Sequence, residues 1–128
     1  MKIIGHQWID SPQFITIYAK EDIATTQANS ILLFDDLSSM IDEIKYCAKE
    51  GLAWAIRVDD ISDAIIAYNL KATYLLVTPS LAKEVQSIAQ HYLFDTQVIV
   101  EISSIKEIQK YAQMGIDSVL FGESIKTL

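Results

Sequence analysis

Cysteine is nearly absent from this chain. Cys47 stands alone, which excludes an intrachain disulfide and a cysteine-based zinc cluster. It falls on the apolar stripe of an expected helix and reads as a buried structural thiol. Four glycines and two prolines are too few for a Gly/Pro-rich linker or a glycine-rich phosphate loop. Basic residues are scarce and scattered: ten Lys and Arg against seventeen Asp and Glu leave a net charge of −7. Such a chain repels phosphate backbones and anionic lipid, so neither nucleic acid nor a membrane surface is an expected partner. Apolar runs such as "YLLV" and "VIV" are far shorter than the ~20 residues of a spanning helix. "MKIIGHQWID" lacks the apolar core of a signal peptide, which makes the cytoplasm the default location. No cofactor motif is present.

What the chain does have is a repeat. Displacing the sequence by 44 positions aligns "ILLFDDL" (31–37), "LLVTPSL" (75–81) and "VLFGESI" (119–125). Each is an apolar strand, two turn-forming residues, then Asp36, Ser80 or Ser124, then an aliphatic residue. The register persists downstream, where "RVDDISDAIIAYNLKATYLLV" meets "EISSIKEIQKYAQMGIDSVLF". Apolar residues at helical spacing predict helices over 37–50 and 81–93, the first closed by Gly51 and the second opened by Ser80 as N-cap. "DISD" (60–63) and "SIKE" (104–107) read as capping boxes, and Gly115 ends the last helix. Strands are expected at 31–34, 53–58, 73–77, 97–102 and 118–121. A sixth is expected within 14–19, followed by a short helix near 21–26. Strands alternating with helices predict a parallel sheet. The whole is one α/β domain, residues 1–128, with an N-terminal edge strand or arm (1–12) and a βα-repeat core (13–128).

The stretch from Tyr74 to Ile125 resembles ribulose-phosphate-binding β/α barrels, in particular indole-3-glycerol phosphate synthase. The likeness rests on a strand ending in Val100-Glu101, a helix opening with acidic residues, and a last strand ending in Gly122-Glu123-Ser124. Residues 54–121 are also similar to the later part of 2-keto-3-deoxy-6-phosphogluconate aldolase. The resemblance implies a half or small TIM-barrel-like fold. It places Glu101 at the synthase's catalytic glutamate, and it also implies catalytic lysines that this chain lacks. The aldolase's Schiff-base lysine would fall near Leu120. "ILLFDD" with the following helix looks like a response-regulator receiver, implying instead a doubly wound, flavodoxin-like sheet. That pattern lacks its phosphoacceptor aspartate, since the matching strand ends in Val77-Thr78-Pro79. A uniform repeat favours the barrel, where every unit occupies the same environment. Six strands would leave exposed sheet edges, and self-association as a homodimer is the simplest cover.

In parallel α/β folds, chemistry gathers at the carboxyl ends of strands. These ends hold Tyr18, Asp35, Asp36, Arg57, Asp59, Asp60, Thr78, Glu101, Ser103, Glu123 and Ser124. Arg57 and Glu101 occupy the same place in the repeat, each flanked by aliphatics, so both project from the face opposite the helices. An ion pair between them that serves packing is the expected arrangement. The enzymatic alternative is a lyase or isomerase acting on a small phosphorylated or carboxylated substrate. Glu101 would then be acid/base and Arg57 the anion anchor, with Thr78, Gly122 and Ser124 completing the binding set. Asp35/Asp36 and Asp59/Asp60 could hold a divalent cation, but helix capping accounts for Asp36 and Asp60, and no metal is expected. Neither His6, in the arm, nor His91, on a helix flank, belongs to a catalytic arrangement. Trp8 is either an anchor for a partner or docked on its own core. The favoured reading is a non-catalytic or vestigial barrel-like scaffold or binding protein, with an inactive receiver-like interaction module as a further alternative.

Overall fold

The structure, a computed structural model, describes residues 1–128. In chain order the strands are β1 (Lys2–Ile4), β2 (Gln13–Thr16), β3 (Ser30–Phe34), β4 (Trp54–Val58), β5 (Tyr74–Val77), β6 (Gln97–Ile102), β7 (Ser118–Phe121) and β8 (Lys126–Thr127). The helices are α1 (Lys20–Ala24), α2 (Ile41–Glu50), α3 (Ile61–Asn69), α4 (Ala82–His91) and α5 (Glu107–Gln113). No helix is long and apolar enough to cross a membrane.

All eight strands form one parallel sheet in the order β1-β7-β6-β5-β4-β3-β2-β8. From β2 to β7 each strand lies beside its successor, so there is no switch point where the winding reverses. The doubly wound, receiver-like alternative is thereby overturned.

The sheet must also curl. Strand β8 follows β7 closely, yet pairs with β2 and so lies six ladder steps from β7. On a flat sheet that separation would be about 29 Å. The chain from Phe121 to Lys126 can extend at most ~18 Å. Rolling the sheet brings its ends together, and a side-chain amide of Gln13 then donates to the Ser124 carbonyl. Across the interior, the Phe14 and Tyr74 rings of β2 and β5 meet at 5.3 Å.

Strand alternation sorts the core into two parts. Ile4, Phe14, Leu33, Leu76, Ile99 and Leu120, with Ile31, Ala55 and Tyr74, fill the inside of the curl. Every strand from β1 to β7 contributes to it. The larger cluster, with Phe34, Ile44, Trp54, Val85, Val100 and Tyr111, lies between the outer face and the helices. Cys47 belongs to this outer cluster, and burial pushes its thiol up to about 11. Trp54 is fully buried with its Nε1 unpartnered, edge-on to Phe34.

The local signals act mostly as expected, with informative exceptions. Asp60 caps α3, its Oδ1 accepting from Asp63 N–H at 2.7 Å. Gly51 and Gly115 close their helices at φ of 70° and 76°. Helix α2 begins only at Ile41, because Asp36 accepts from Ser39 N–H and organises a turn first. Ser80 does not cap α4. Its hydroxyl meets that of Thr78 at 3.3 Å, and Leu81 occupies the N-cap position without a side-chain bond. The N-terminal arm is in part a true strand, since Lys2–Ile4 pair with Ser118–Leu120. The sheet edges are two and three residues long and adjoin each other, so they offer little for another chain to pair with.

Candidate functional site

The carboxyl ends of β3 to β7 surround a cleft of about 620 Å³. Interior-facing alternation continues past the apolar layer, so the residues next in phase carry the chemistry. Asp35 follows Leu33, Arg57 follows Ala55, Thr78 follows Leu76, Glu101 follows Ile99, and Gly122 follows Leu120.

Arg57 organises this layer. Its Nη1 donates to Glu101 Oε1 at 2.9 Å and its Nε donates to Asp35 Oδ1 at 3.1 Å. The Glu101 pairing agrees with the repeat, and Asp35 is a second partner that the repeat does not reveal. A signal for it lies in the register: β3 and β4 pair Leu33 with Ala55 and Phe34 with Ile56, so Asp35 arrives beside Arg57. The side chains of Arg57, Asp35 and Glu101 remain 39%, 54% and 44% exposed. The expected partly buried packing pair is therefore an open one. Ion pairs at such exposure contribute about 0–1 kcal/mol, too little to explain the arrangement as a stabilising device.

Gly122 has a specific steric reason. Glu101 crosses the top of β7, and a Cβ at position 122 would overlap its carboxylate and lie 2.9 Å from Cδ. Glu101 thus occupies the space over Gly122. Thr78 lines the same cleft. Ser124 does not: its hydroxyl donates to the Phe121 carbonyl at 2.7 Å and packs against Gly5, serving the sheet closure. Tyr18 and Asp60 also lie outside the cleft lining.

The electrostatic character is lopsided. Asp35, Asp36, Asp59, Asp63, Glu101, Glu107 and Glu123 line the cleft against the single cation Arg57, and no lysine, histidine or cysteine joins them. Ser39 backbone and side-chain hydrogen bonds, with the Ser38 hydroxyl, hold Asp36 below the ordinary carboxylate range. Backbone N–H groups of Ser103 and Ser104 do the same for Glu107. Asp63 goes the other way, raised by partial burial and by the negative charges of Asp60, Asp59 and Asp36. Carboxylate oxygens of Asp59, Asp60 and Asp63 come within 4.8 Å of one another, the one grouping that brings three potential cation ligands together. Asp63 and Glu107 are cleft residues that the sequence does not mark as such, because both read there as helix-start residues.

His6 and His91 stay away from the cleft. His6 packs on Trp8 and Phe121, and His91 stands edge-on to Tyr92. Comparison with protein-family models and with curated proteins finds no match.

Proposed function

We propose that this chain is a non-catalytic, barrel-like binding protein that acts as a homodimer and uses the strand-end cleft to bind its ligand. The observation that carries the reading is the sharing of Arg57 between Asp35 and Glu101. An acid/base glutamate must exchange a proton with substrate, and Glu101 is instead bonded to Arg57 and lies over Gly122. Arg57 keeps its Nη2 donors free, but two carboxylates already offset its single charge, which weakens it as an anion anchor. The lining supplies no amine nucleophile for Schiff-base chemistry. The likeness to phosphate-binding barrels then marks ancestry in architecture rather than retained activity.

Support for self-association comes from α3 rather than from the sheet edges. This helix buries Ala64 and Ala67 and turns Ile65 and Ile66 outward, at 40% and 48% exposure. Sedimentation equilibrium should give twice the 14.4 kDa chain mass, and Ile65→Glu with Ile66→Glu should return a folded monomer. A monomer at 100 µM (~0.1 mM, well above the Kd of a stable dimer) would sink the dimer.

The lyase or isomerase reading keeps one observation in its favour: Glu101, Arg57, Thr78 and Gly122 do converge on a solvent-open cleft. NMR detection of deuterium exchange next to the carbonyl of small phosphorylated or carboxylated keto compounds separates the two. No exchange above background is expected. Exchange that disappears in Glu101→Gln would establish the enzyme.

A further inference from the structure

Two features of the strand-end face go beyond what the chain itself uses: exposed aromatics, and carboxylates in excess of those that bind Arg57 or hold turns. The first is aromatic. Trp8 is 82% exposed. Its backbone N–H donates to His6 Nδ1 at 3.1 Å, its indole meets the His6 ring at 5.1 Å, and His6 rests 5.6 Å from the Phe121 ring. Tyr18 is 63% exposed while its backbone N–H is held by the Asp22 carboxylate at 3.0 Å. Both residues follow the carboxyl ends of their strands, β1 and β2, and His6 links Trp8 to Phe121, the last residue of β7. The segment Gly122–Ser124 joins the neighbours of those strands, β7 and β8, and its Gly122 and Glu123 line the cleft.

The second feature is sign. The cleft presents seven carboxylates to one guanidinium that two of them already neutralise. Repulsion excludes an anionic occupant, and Glu101 already fills the space over Gly122. The same field attracts cations.

We propose that this face docks a basic polypeptide segment of a partner protein. Its Arg or Lys side chains enter the cleft, and its flanking chain lies over Trp8 and Tyr18. The proposal rests on reading the cleft as a binding site. Charge complementarity selects the sign of the partner, and the position of the aromatics selects its size. Trp8 and Tyr18 lie outside the cleft lining, so an occupant that covers them must extend beyond the cleft, as a chain does and a small cation does not. Tryptophan and tyrosine are favoured anchors at such interfaces, and their ring faces add cation–π attraction for arginine.

The test is titration of the full chain with a dodecapeptide alternating Arg and Ala, read by calorimetry and tryptophan fluorescence. Trp54 is fully buried, so a blue shift on binding reports Trp8. The expected result is saturable binding that weakens severalfold as salt rises from low to physiological ionic strength. Trp8→Ala should weaken it about tenfold, with an unchanged circular dichroism spectrum and melting temperature. Glu123→Gln with Asp59→Asn should reduce the salt dependence. The proposal is overturned if a Glu/Ala peptide binds equally well, or if Trp8→Ala has no effect. It is also overturned if free arginine binds as tightly as the peptide, which would make this a small-cation site, or if no binding occurs. None of these outcomes alters the exchange experiment on Glu101→Gln, so the two readings fail separately.

Discussion

The two ends of the curled sheet finish the same apolar interior in different ways. At the amino end of the strands, two buried polar groups, Ser118 and Tyr74, are tied to less buried partners. Ser118, fully buried, donates to Gln97 Oε1 at 3.0 Å, and Tyr74, 3% exposed, receives the Lys2 ammonium at 3.2 Å. At the carboxyl end the polar groups are charged, half exposed and predominantly acidic. Buried hydrogen bonds cannot be broken without leaving an orphan, whereas exposed ion pairs exchange readily with water. The amino end is thus organised for stability, and the carboxyl end is free to present a field to a partner.

The apolar interior between the two ends sets the scale against which both are judged. Leu33→Ala removes a fully buried side chain there and should cost about 2–5 kcal/mol in urea denaturation. At the amino end, Ser118→Ala removes the hydroxyl that Gln97 holds and should cost about 0.5–1.5 kcal/mol. A cost no larger than that of a strand-end variant would break the contrast.

The carboxyl end should respond more weakly. Gly122→Ala forces Glu101 off its seat and from Arg57, with an expected loss below about 1 kcal/mol. In a Glu101→Ala background the same change should be nearly free, so a double-mutant cycle isolates the contact. Additivity of the two changes would show that Glu101 does not occupy the space over Gly122.

Asp63 gives the smallest and most diagnostic effect. Its raised pKa means the folded chain holds the proton more tightly than the unfolded chain does. Its contribution to stability therefore falls as pH rises from the ordinary value through the raised one. Asp63→Asn should stabilise the protein at neutral pH, by no more than about 0.5 kcal/mol. The gain should vanish below pH 3.8, the ordinary value, where both forms are neutral. A gain independent of pH in thermal melts would point away from the acidic cleft as its cause.

Much of the fold is legible in the sequence because its causes are local. The strands expected at 97–102 and 118–121 form as Gln97–Ile102 and Ser118–Phe121, since apolar runs between helix signals leave few alternatives. Gly51 and Gly115 mark helix ends because the left-handed conformation favours glycine. The same rule misses the ends of α3 and α4, where Lys71 and Leu93 take φ of 72° and 55°. There the tertiary return of the chain to the sheet overrides the local preference. Strand β8 is illegible for a related reason, since two residues carry no period and are strand only because β2 is near.

The 44-residue repeat and strand alternation suffice to place Arg57 and Glu101 on one face, and the folded chain joins them at 2.9 Å. Those relations depend on period, and period is written in the sequence. The third partner, Asp35, depends on strand register. The seat of Glu101 over Gly122 and the exclusion of Ser124 depend on the curl of the sheet. So does the gathering of seven carboxylates around one guanidinium. Charges scattered along a chain have no common field until a curled sheet points them into the same cleft.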